Sequence, residues 1–131
     1  QWSIDKAMAC IAEAGLAGNE GRLAGVMSHG AQRQLEIAMV LATDAQVLLL
    51  DEPLAGMGSE ESAKMVEVLK RLRETRAILL VEHDMDAVFA VADTITVMVN
   101  GQVLESGPPA QIKASVAVQE AYLGQEDSFH V

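Results

Sequence analysis

The 131-residue sequence is half hydrophobic with 3% aromatic residues, and it carries 19 acidic against 9 basic side chains, a net charge of −10. That length suits one core built from aliphatic residues and methionine, and the acidity argues against nucleic acid or anionic lipid as a general surface partner. The single cysteine, Cys10, cannot form an internal disulfide and reads as a buried structural thiol. No apolar run approaches the roughly 18 residues of a spanning helix, so direct membrane insertion is not expected and a cytoplasmic setting is. The chain opens on Gln1 in place of Met, which suggests a fragment or a processed product.

In chain order, Ser3 caps a predicted helix whose apolar positions Ile4, Ala7, Met8, Ile11 and Ala14 recur at helical spacing, with Gly15 as its stop. Leu16 to Val26 carries Gly18, Gly21 and Gly25 and reads as a loop. Ser28 is a second N-cap candidate, for a helix through Gln34, Ile37, Ala38, Leu41 and Ala42. Four aliphatic residues in a row, Val47 to Leu50, predict a parallel-sheet strand buried on both faces. The strand ends in Asp51 and Glu52, at the kind of strand tip where open α/β sheets place their chemistry.

Pro53 to Gly58 reads as a turn, and Ser59 with Glu60 and Glu61 opens a third helix whose inner stripe is Met65, Val68, Leu69 and Leu72. Ala77 to Val81 is a second buried strand ending in Glu82-His83-Asp84, and a short helix from about Met85 to Val91 is capped by Asp84. Thr94 to Val99 is a third strand, joined to Gln102–Glu105 by the hairpin dipeptide Asn100-Gly101. One or two short helices then reach Leu123, and Gly124 to Val131 reads as a frayed tail with His130 solvated; Trp2 and Tyr122 read as packing anchors. Strands alternating with helices give the α/β class.

Three pieces carry chemistry. Ser28-His29-Gly30-Ala31 places a hydroxyl and a glycine where a loop becomes a helix, which suits either a plain helix cap or a phosphate held by unpaired N–H groups. Asp51 and Glu52 fit a magnesium-dependent phosphate site, with Asp51 on Mg²⁺ through water and Glu52 orienting or deprotonating the attacking water. His83, at the second strand tip, is placed to hydrogen-bond a terminal phosphate or to serve a structural role.

In this order and spacing the pieces resemble the nucleotide-binding subunits of ATP-binding cassette (ABC) transporters. Met27 to Ala31 looks like the signature motif, Val47 to Glu52 like the Walker B strand, Pro53 to Gly58 like the D-loop, and His83 like the switch histidine. Gln32 to Met39, Asp51 to Gly58, Val81 to Asp86 and Val118 to Gly124 are similar to the ATPase subunits of branched-chain amino acid importers.

The resemblance implies a P-loop NTPase-like parallel sheet flanked by helices, with a C-terminal β-hairpin. Within it, about 1–43 would be the signature-bearing helical part and about 44–131 the core from Walker B to the C-terminus. It also implies ATP and Mg as cofactors of the intact assembly, a second ATPase subunit and a membrane permease as partners, and a place on the cytoplasmic side of the inner membrane. Glu52 and His83 would be catalytic, Ser28, His29, Gly30 and Ala31 would face the ATP of a partner subunit, and Gly58 would hold the D-loop position.

The chain departs from the family in one large respect. A Walker A loop needs Gly-Lys followed by Ser or Thr, and the four lysines, Lys6, Lys64, Lys70 and Lys113, follow Asp5, Ala63, Leu69 and Ile112. The resemblance is therefore to a truncated, C-terminal half, expected to bind no nucleotide tightly and to be inactive alone. In the family's sheet the Walker A strand lies between the two strands that would correspond to 77–81 and 94–99. The sequence thus predicts that these strands close up, that another copy fills the gap by self-association, or that a missing N-terminal half supplies it. A stand-alone, non-catalytic binding protein derived from such an ATPase is the alternative.

Overall fold

A computed structural model describes residues 2–126, and the chain divides into two compact units, 1–91 and 92–131. The elements on either side of residue 43 share one hydrophobic core.

The first unit contains helices α1 (Trp2–Glu13) and α2 (His29–Leu41), strand β1 (Val47–Asp51), helix α3 (Ser59–Leu72), strand β2 (Ala77–Val81) and helix α4 (Met85–Val91). Met65, Val68, Leu69 and Leu72 of α3 are all buried, as their spacing predicts. With Leu48, Ile37, Ala38 and Leu41 they form the centre of the core. Each of these side chains other than Ala38 contributes roughly 1.5–3 kcal/mol on burial. Helix α4 begins where Asp84 accepts the N–H of Ala87 at 3.1 Å, which is the predicted cap.

Helix α1 differs from its predicted stripe. Cys10 and Ala14 are buried, while Ile4 and Met8 are exposed, because among the described side chains α1 meets the core at its C-terminal turn. Gly15 ends that helix with a left-handed φ of 84° and lies so close to α2 and α3 that an added Cβ would stand 2.8 Å from Gln34 Nε2 and 3.0 Å from Val68 Cγ2.

Strands β1 and β2 are parallel, with Val47 opposite Ala77 and Asp51 opposite Val81. Leu48, Ile78, Leu50 and Leu80 face the helices. The opposite face is open: Leu49 and its partner Leu79 are 73% and 62% exposed, and Val47 and Val81 are exposed beside them. This corrects the two-sided burial expected from the aliphatic run. Each face of a sheet is buried only by a further layer, and here the helices packed in the core line one face.

The second unit holds strands β3 (Ile95–Val99) and β4 (Gln102–Gly107), followed by helices α5 (Pro109–Ala114) and α6 (Val116–Glu126). The strands form an antiparallel hairpin in which Val99 pairs with Gln102. Asn100 and Gly101 between them have φ values of 51° and 77°. Two left-handed residues make the type I′ turn that suits strand twist, so the dipeptide signal is realised. Pro109 opens α5, where its missing N–H costs nothing. Ile95, Ile112 and Val118 are buried, and Tyr122 is half-buried. The readings of the Trp2 side chain, of His130 and of the tail beyond 126 lie outside the described residues.

Among the described residues each sheet has two strands, β1 with β2 and β3 with β4.

Candidate functional site

The site grows out of the parallel register. Because Asp51 stands opposite Val81, the residues that follow, Glu52 on one side and Glu82 and His83 on the other, leave the sheet side by side. The ladder extends one step further through the N–H of Glu52, which donates to the Val81 carbonyl at 2.8 Å. Glu52 itself adopts a left-handed φ of 47°, which turns the chain sharply off the strand and into Pro53 to Gly58. A non-glycine residue held there costs about 1–2 kcal/mol, so the surrounding contacts must enforce it.

Two such contacts are visible. The Arg33 guanidinium reaches from α2 and donates through Nη2 to the carbonyls of Asp51, at 3.3 Å, and Glu52, at 2.9 Å. On the other side His83 Nδ1 donates to Glu52 Oε1 at 2.9 Å. The His83 and Glu52 side chains are 74% and 49% exposed, so this pair is geometrically defined but energetically weak. The Asp51 residue is exposed and belongs to the open face of the sheet, beside Val81.

The amino end of α2 is fastened to the same region. Ser28 has extended backbone angles, and its Oγ accepts the N–H of Ala31 at 3.1 Å, the helix-cap arrangement. His29 donates from Nε2 to the Ala55 carbonyl at 2.9 Å, fixing the turn after β1 against the helix. Gly30 is buried, and a Cβ there would lie 1.7 Å from Glu61 Oε2. That oxygen is buried and has no hydrogen-bond partner among the described residues. Gly58 is the N-cap of α3, exposed, with open space where a side chain would be.

The structure thus brings Glu52 and His83 into contact and places Ser28 to Gly30 beside the turn that follows Glu52. Sequence reasoning gave no role to Arg33 or Glu82 and read Glu61 only as a favourable charge in the first turn of α3. The contacts of all three depend on the register and packing of elements distant in sequence, which no local pattern signals.

The family described as ABC transporter matches residues 2–55, and the family described as branched-chain amino acid ATP-binding cassette transporter matches residues 102–128. The high-affinity branched-chain amino acid transport ATP-binding protein LivG of Escherichia coli (strain K12) is 38% identical over 125 residues, covering 94% of this chain and 49% of LivG. The chain is homologous to ABC transporter ATP-binding proteins.

The corresponding protein BraF of Pseudomonas aeruginosa is 40% identical over 106 residues, 79% of this chain and 42% of BraF. The fold agrees with that of the ABC cassette MJ1267 in its ADP conformation, with a TM-score of 0.81 and 27% identity over 95% of this chain and 51% of that one. The chain spans about half the length of the curated relatives it matches.

ABC ATP-binding proteins use ATP and Mg, and the residues of this chain fit only one edge of such a site. Asp51 offers a hard carboxylate suited to Mg²⁺. Among the described residues, however, no group of three or more His, Cys, Asp or Glu is placed to hold a metal. No lysine lies in a phosphate-cradling loop.

Proposed function

We propose that this chain is the hydrolysis-side half of the ATP-binding subunit of an ABC importer for branched-chain amino acids. In that assembly Asp51 would hold Mg²⁺ through water, Glu52 would orient or deprotonate the attacking water, and His83 would hydrogen-bond the terminal phosphate. Ser28, His29, Gly30 and Ala31 face the ATP of a second ATPase subunit, with Gly58 at the D-loop position beside them. A membrane permease is the further partner, and the chain sits on the cytoplasmic side of the inner membrane. The observation that carries this reading is the 38% identity to LivG, which runs over 94% of the chain. The 2.9 Å contact between Glu52 and His83 supports the assignment of those two residues.

Activity then depends on a phosphate cradle supplied from outside these residues. The isolated chain is expected to show no Mg-dependent ATP hydrolysis above background. Adding a polypeptide that carries the Walker A half of a branched-chain amino acid relative should restore hydrolysis, and Glu52→Gln should abolish it again. Turnover by the isolated chain, or restored turnover indifferent to Glu52→Gln, would refute the proposal. A complemented mixture that stays inactive while the chain binds other proteins would favour a stand-alone interaction protein.

A further inference from the structure

Beyond the Glu52–His83 contact, the two turns that leave the sheet are bridged by a buried carboxylate that the functional reading leaves unused. The Glu82 side chain is only 1% exposed. Its Oε2 accepts the N–H of Leu54, in the turn after β1, at 3.3 Å. Its Oε1 accepts the N–H of His83 at 3.0 Å and that of Asp84 at 3.4 Å, in the turn after β2, and stands 3.5 Å from His83 Nδ1. A carboxylate taken out of water is costly unless hydrogen bonds replace its hydration. Here three backbone donors do so, and each oxygen serves a different turn.

We propose that Glu82 is a positioning residue that locks the turn after β1 to the turn after β2 and so sets the distance between Glu52 and His83. The backbone ladder ends at the Glu52 N–H to Val81 carbonyl bond. Past that point the chains are held together by side chains. The Glu52–His83 pair is half-exposed and competes with water, so it follows the backbone more than it directs it. Glu82 is dry, ionic and doubly engaged, which makes it the stronger restraint. The functional weight of the proposal rests on the reading of Glu52 and His83 given above, but its geometry does not, and the test is chosen accordingly.

The experiment is NMR on the full chain, comparing Glu82→Gln and Glu82→Ala with the parent. A glutamine presents one carbonyl oxygen, so it can serve only one of the two turns. Glu82→Gln is expected to leave the chain folded and to speed amide exchange, by roughly tenfold or more for a lost charge-assisted bond, either at Leu54 or at His83 and Asp84, but not at both sites. Glu82→Ala is expected to speed exchange at both. In each variant the His83 imidazole nitrogen resonances shift towards those of a free histidine, while Leu48 and Leu69 amides keep their protection. Retention of parent exchange and parent His83 resonances in Glu82→Gln overturns the proposal. So does a uniform loss of protection that includes Leu48 and Leu69, since that would make Glu82 a general stabiliser. Failure of ATPase complementation bears on the function alone and leaves these readouts standing.

Discussion

The packing of Gly30 on Glu61 can be tested by a double-mutant cycle with Gly30→Ala and Glu61→Ala. In Gly30→Ala the new Cβ falls 1.7 Å from Glu61 Oε2, 2.8 Å from its Cδ and 3.3 Å from its Cβ. The carboxylate must swing away, and the Glu61 Cβ must give by a few tenths of an ångström. Overpacking of this kind costs about 1–3 kcal/mol, set against a gain of at most ~1 kcal/mol in helix propensity, so the single variant should lose about 1–2 kcal/mol. Glu61→Ala loses methylene packing at about 0.8 kcal/mol per buried group and a favourable first-turn charge worth ~0.3–1 kcal/mol. It also removes a buried oxygen that has no partner among the described residues, an atom that costs about 1–3 kcal/mol to keep. Its net effect should lie within about 1 kcal/mol of zero. With Glu61 shortened, Gly30→Ala has room for its Cβ and keeps the propensity gain, so the coupling should be about 2 kcal/mol. Urea denaturation of the four proteins at a common m-value measures it. A coupling below about 0.5 kcal/mol, the range of independent sites, would show that Glu61 does not occupy the space beside Gly30.

Arg33→Ala should cost about 1–2 kcal/mol, because two carbonyls at the strand tip lose a charged donor but regain water. Arg33→Lys should recover part of that, since one ammonium can donate to the two carbonyls that Nη2 serves but leaves the Nη1 contact to Glu36 unmade; thermal melts check both, and a lysine variant no more stable than Arg33→Ala counts against the contact. Glu20 supplies a pH marker away from the site. The N–H of Gly18, 2.9 Å from Glu20 Oε1, holds its carboxyl below the ordinary 4.5. Because the folded value is depressed, the stabilisation from this bond is present above the unfolded value and fades as pH falls through the folded one. A carbon-detected NMR titration should place the Glu20 midpoint below 4.5, and a midpoint at or above it counts against the contact.

Much of the first unit was legible because local signals and tertiary packing agree. Asp84 before Met85 to Val91 is a cap followed by a short apolar helix, and nothing distant competes with it. The α3 stripe of Met65, Val68, Leu69 and Leu72 has the helical period and a single covered face. The strand at Val47 to Leu50 was legible as a strand but not in its surroundings. Four aliphatic residues say that both faces can be buried, and whether both are depends on chain that lies elsewhere. The α1 stripe misled for the same reason, with Ile4 and Met8 apolar at positions that no described element covers. At the site, Glu52 and His83 were legible through strand-end position, and the parallel register then joined them. Glu82 was not legible, because a glutamate next to a histidine reads as a solvated flank until the register folds it beneath two turns.

The open face of the β1–β2 sheet has a consequence for the life of the polypeptide. Val47, Leu49, Leu79 and Val81 form an exposed aliphatic stripe on a sheet that has two strands among the described residues, so that each strand is an edge, the combination that chaperones and proteases engage. While such a stripe stays open to solvent it raises the chain's exposure to aggregation and turnover, whatever the depth of its core.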